Sequence, residues 1–79
     1  MIYCGVENEN IYIMVRDSKI CDKIVVLGYI RNSEKCEYFR SYFDFISDAM
    51  NFYKDKIMNA CIMLQYVKRN NTKGGDAID

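Results

Sequence analysis

Histidine is missing from this sequence altogether. Without it the commonest general acid–base side chain is unavailable, and a cysteine nucleophile has no imidazole to activate it. A zinc ion would need all four scattered cysteines, or cysteines with carboxylates. Cys4, Cys21, Cys36 and Cys61 show no C-x-x-C spacing. No G-x-G-x-x-G and no P-loop occurs, and Gly74-Gly75 has no strand before it. The carboxylate pairs Asp44/Asp48 and Asp17/Asp22 read as a helix start and a loop. Nucleophile, base and cofactor signals fail together, so we expect no enzyme, no cofactor and no metal.

Excess charge is missing too: 11 Lys+Arg stand against 11 Asp+Glu. A nucleic-acid coat protein is usually basic, and a DNA mimic strongly acidic. No apolar run is long enough to cross a membrane. The opening Met1-Ile2-Tyr3-Cys4 has neither a basic start nor a long apolar core, so no signal peptide is expected. With wide, irregular spacing, the cysteines read as free thiols in a reducing compartment, which predicts a cytoplasmic protein. A chain of 79 residues buries only about 60% of its unfolded surface. Domains this small often gain support from a partner subunit.

Against these absences stands a marked bias. Phe, Tyr, Met, Ile, Asn and Lys make up 40 of the 79 residues, and Gly, Ala, Arg and Pro only 11. The first set is written with A/T-rich codons and the second with G/C-rich ones. This points to an AT-rich genome, such as that of a phage, another virus, a mobile element or an AT-rich bacterium.

Apolar patterning predicts strands at Ile2–Val6, Ile11–Asp17, Lys23–Arg31 and Cys36–Tyr42, separated by polar turns at 7–10, 17–22 and 32–35. Gly28 inside the third strand suggests a bulge or a close backbone approach. A helix follows, capped by Ser41 with Asp44 or by Asp44 alone, with Ile46, Met50, Tyr53 and Ile57 at helical spacing.

Its end carries two readings. In one, Asn59 takes a left-handed cap and 61–68 returns as a strand. In the other, the helix runs to about Arg69, and Ile46, Met50, Tyr53, Ile57, Ala60, Leu64 and Val67 form a heptad seam, predicting a homodimer through 46–67. We take the strand, because a helix of ~25 residues would reach ~38 Å, beyond the sheet. The expected fold is therefore a single α+β domain over 1–69: a four-stranded antiparallel meander with one helix on one face, in the order β-β-β-β-α-β. Residues 70–79 form a polar, disordered tail.

Alternation places Ile11, Ile13, Val15, Ile24, Val26, Ile30, Phe39 and Phe43 on the helix side. Tyr12, Met14, Arg16, Tyr29, Arg31, Tyr38, Arg40 and Tyr42 then share the other face, which a structure this small can leave uncovered. Such residues stabilise an antiparallel sheet by cross-strand pairing, but tyrosine and arginine also dominate protein-interface hot spots. We take Tyr12, Arg16, Arg31, Tyr38, Arg40 and Tyr42 as the partner-binding residues of a protein-binding module, an inhibitor or modulator of a larger complex. If the gene is phage-borne, a host defence system is a natural target. Two alternatives use the same composition: a single-stranded nucleic-acid binder stacking bases on this face, and a dimer holding a small ligand between subunits.

Overall fold

The computed structural model describes the backbone of residues 1–78 and the side chains of residues 1–63. Four strands, β1 (Ile2–Glu7), β2 (Ile11–Asp17), β3 (Ile24–Arg31) and β4 (Cys36–Phe43), are followed by one helix, α1 (Ile46–Ile78). The strands form one antiparallel sheet in chain order. Short polar connections force this meander, and each is closed by its own first residue. The Asn8 side-chain oxygen accepts the Asn10 and Ile11 N–H groups at 2.8 and 3.0 Å. Asn32 does the same for Glu34 and Lys35 at 2.9 and 3.0 Å. The Ser18 hydroxyl accepts Ile20 and Cys21 N–H at 3.2 and 3.3 Å. Such side-chain turns favour a tight reversal over strand continuation.

The register is continuous from β2 through β4. Ile13 lies opposite Gly28, and Gly28 opposite Phe39. No bulge occurs at Gly28; the irregularity falls between Ile2 and Cys4 of β1. Gly28 instead marks a close backbone approach. Its φ is +155°, a conformation L side chains rarely adopt, and an added Cβ would strike the Tyr12 carbonyl oxygen and lie 2.8 Å from Ile13 Cα.

α1 covers the face bearing Ile11, Ile13, Val15, Val26 and Ile30, all at most 4% exposed. Ala49 and Ala60, both fully buried, bring the helix backbone close to the sheet, and Met50, Phe52, Tyr53, Ile57 and Met63 pack around them. Phe52 meets Phe39 and Phe43 at ring separations of 6.2 and 5.4 Å. Lys56 reaches back to Glu37 at 3.1 Å, its ammonium 4.8 Å from the Phe39 ring centre. The carboxylate of Asp44 pairs with Lys23 at 2.6 Å, and Ser41 lies within β4.

The last strand expected over 61–68 is not formed; α1 runs through that segment. Neither Gly nor Pro interrupts 46–69, and among the described residues Asn59 does not take a positive φ. With nothing to break it, each added residue extends the helix by one hydrogen bond. Overhang beyond the sheet is no barrier. The apolar run is resolved by helical geometry, which buries Ala60 and turns Met63 to the core while Ile62 stays 64% exposed. The stretch that would have made a heptad seam is thus taken up by the protein's own sheet at Met50, Tyr53, Ile57 and Ala60. Leu64, Val67 and the tail expected over 70–79 fall outside the residues described to the side chain.

The close approach at Gly28 yields a stability prediction. Gly28→Ala should cost about 2 kcal/mol or more, because it combines a disfavoured φ with a clash against the backbone of β2. Urea unfolding should show a lower midpoint at unchanged m-value. A wild-type midpoint would refute the close approach.

Candidate functional site

The uncovered face of the sheet is built in rows across the strands. One row is Glu7, Tyr12, Tyr29 and Tyr38; the next is Gly5, Met14, Leu27 and Arg40; the third is Ile2, Arg16, Val25 and Tyr42. Arg31 and Cys36 pair beyond the first row. The register therefore puts all six anticipated residues on the face opposite α1, but not in one cluster.

The first row is an aromatic ladder. Tyr12 and Tyr29 have ring centres 6.0 Å apart, and Tyr29 and Tyr38 5.9 Å apart, in tilted geometry. At these separations such pairs attract beyond their area burial. The Tyr12 hydroxyl donates to the Met14 sulfur at 3.7 Å. Tyr12 and Tyr29 are half-buried by their neighbours, whereas Tyr38, on the edge strand, is 76% exposed. Tyr12, Leu27, Tyr29, Tyr38 and Arg40 line an open concavity of about 570 Å³.

A second concavity of about 200 Å³ lies at the other end of the face, lined by Arg16, Lys19, Ile20, Val25, Leu27, Arg40 and Tyr42. Leu27 and Arg40 belong to both. Val25 is only 2% exposed although it faces away from the helix. It sits between Arg16 and Tyr42 in the register. Val25 and Leu27 give this face an apolar floor that its description as tyrosine and arginine alone overlooks. The signal was present: their parity within β3 matches that of Tyr29. Their β-branched or aliphatic character suggested core instead.

The arginines differ in availability. Arg31 donates to the Glu9 carbonyl and braces the first turn, well away from the other two. Arg16 donates to the Asp17 carbonyl at 3.1 Å. For Arg40, no ion pair or hydrogen bond is found among the described residues. The strands place one carboxylate, Glu7, on this face against three guanidiniums, so its local field is positive although the whole chain is neutral.

Other chemistry is sparse. All four cysteines are free, two of them half-buried and two exposed. Among the described residues no three metal-ligating side chains converge, and no helix is long and apolar enough to cross a membrane. No protein-family model, characterised protein or solved structure matches the chain. The face itself is therefore the guide to function.

Hydrogen bonding to the Cys36 sulfur, reinforced by its charge, partial desolvation and Tyr29, raises the Tyr38 phenol above its ordinary value of 10.0, with Arg31 opposing. A raised folded-state pKa adds stability that is complete below the unfolded value and fades as pH climbs through the folded one. In an NMR titration of the ring carbons, Tyr38 should ionise above 10.0, and Cys36→Ala should bring it down. An unchanged titration in the variant would show that the sulfur is not the cause.

Proposed function

We propose that this protein is a small, non-catalytic protein-binding module that docks a partner on the sheet face opposite α1. The observation that carries this reading is the pairing of Tyr38, 76% exposed, with Arg40 beside the apolar floor of Leu27, where the two concavities meet. Aromatic and arginine anchors around a desolvated centre are the usual composition of an interface hot spot. The ladder also favours protein over single-stranded nucleic acid. Base stacking needs ring faces open to solvent, and here Tyr12 and Tyr29 lean on each other, leaving Tyr38 as the exposed ring. The biological role we assign is that of an inhibitor or modulator of a larger complex in the cytoplasm. The AT-rich coding bias supports a phage or mobile-element origin, with a host defence system as target.

Replacing Tyr38 and Arg40 together by Ala should abolish partner binding, since hot-spot truncations cost ~2 kcal/mol or more each, over tenfold in affinity. Stability should change little, because exposed cross-strand pairs contribute about 0.2–1 kcal/mol. The test is parallel affinity capture from the native host with wild-type and doubly substituted protein, followed by titration of the captured partner. Equal affinity of the double variant would overturn the assignment. Binding to single-stranded oligonucleotides that falls steeply with salt would establish the nucleic-acid alternative instead.

A further inference from the structure

β4 is a free edge of the sheet, and its unused backbone groups can be identified. Asn32 N–H donates to the Lys35 carbonyl at 2.9 Å, which makes 32/35 a hydrogen-bonded pair. Bonded and non-bonded pairs alternate along an antiparallel ladder. Counting along the observed register, Glu37, Phe39, Ser41 and Phe43 turn their N–H and C=O toward β3. Cys36, Tyr38, Arg40 and Tyr42 turn theirs outward. The same count holds on the other side of β3, where Arg31 N–H donates to the Asn10 carbonyl at 2.7 Å and Ser18 N–H to the Lys23 carbonyl at 2.8 Å.

Proteins usually blunt such edges with bulges, prolines or inward-pointing charges. β1, the opposite edge, carries the irregularity between Ile2 and Cys4. β4 has eight residues in unbroken register and no proline. Its inward charge, Glu37, is already matched by Lys56 at 3.1 Å.

We propose that β4 pairs antiparallel with β4 of a second copy of this chain, about a two-fold axis at Phe39. Opposed residues in an antiparallel pair share a face, which restricts the choice to axes passing through a residue. An axis at Phe39 sets Tyr38 opposite Arg40 of the second copy, twice, a cation–π pairing. Cys36 then faces Tyr42, and Glu37 faces Ser41, so seven of the eight β4 residues are paired and no like charges meet. An axis at Arg40 opposes two guanidiniums. An axis at Ser41 sets Tyr38 against Asp44 and leaves Cys36 and Glu37 unpaired. An axis at Tyr38 pairs only Cys36 through Arg40. The Phe39 axis therefore pairs the most of β4 without opposing like charges, in a closed two-fold interface.

The result is an eight-stranded sheet with both helices on one side. The Tyr12–Tyr29–Tyr38 row continues onto Arg40 and Leu27 of the second copy, so each large concavity is completed by the other chain. This assembly shares Tyr38 and Arg40 with the proposed docking surface, but the mass of the purified protein tests it without any partner.

Sedimentation equilibrium of the full chain should give twice the 9.3 kDa chain mass at micromolar concentration. Tyr38→Lys places a cation opposite Arg40 of the second copy and should weaken dimerisation at least tenfold. Adding Arg40→Glu restores an opposite-charge pair across the axis and should recover the dimer, an outcome that no other register predicts. Should the charge variants misfold, Tyr42→Cys in a Cys21→Ser, Cys61→Ser background puts a thiol opposite Cys36 of the second copy. Mild oxidation should then give a covalent dimer on a non-reducing gel, absent when Tyr42 is retained. A monomeric wild type, a dimer unaffected by Tyr38→Lys, or no covalent dimer from the thiol variant would each overturn the proposal.

Discussion

The approach of β3 to β2 at Gly28 is the constraint on which the two faces of this sheet depend. A side chain there would drive into the Tyr12 carbonyl, so the strands could not stay in register. Because side chains alternate with period two, a slip of β3 by one residue against β2 would send Val26 and Ile30 to solvent and Val25, Leu27 and Tyr29 under the helix. A bulge at this point would have had a similar effect on one side of β3. The continuous register from β2 through β4 instead keeps Ile11, Ile13, Val15, Val26 and Ile30 toward α1 and the tyrosines and arginines of these strands away from it, with Val25 and Leu27 as the apolar floor between them.

The helix completes that division by how it sits. Two fully buried alanines, Ala49 and Ala60, lie 11 positions apart on one face of α1, which is close to three turns. Larger side chains between and beside them fill the flanks, and the Phe39–Phe52–Phe43 cluster with Lys56 closes the β4 margin. Among the described residues no comparable element covers the other face. There the loop at 18–23 shields one end with Lys19 and Ile20, and the rest is an open aromatic and cationic surface. A core this small, supported on one side only, makes lateral pairing of the sheet and docking on its open face physically natural ways to bury more surface.

Much of this was legible in the residues. Alternation in Ile11–Asp17 and Cys36–Tyr42, with polar turns built on Asn8 and Asn32, is enough to write the meander and assign both faces, because period-two patterning carries register information directly. The helix end was not legible. Ala60 to Leu64 is apolar all round, so a short run there satisfies helix and strand periodicity alike. The absence of Gly or Pro decided the outcome by local continuity rather than by reach. The floor formed by Val25 and Leu27 was also hidden, since an aliphatic run such as Ile24–Leu27 reads as core on both sides. Arg31 shows a different limit: alternation places it on the face and the register agrees, but its bond to the Glu9 carbonyl ties it to the turn.

The most direct test of this account is a proton NOE map around the two buried alanine methyls. If α1 covers the aliphatic face and leaves the other open, the Ala49 and Ala60 methyls will show contacts to side chains of the Ile11, Ile13, Val15, Val26 and Ile30 cluster. They will show none to the rings of Tyr12, Tyr29 or Tyr38, which will instead contact one another. Contacts from either alanine to those tyrosine rings would contradict it, because the Tyr/Arg face would then lie beneath the helix.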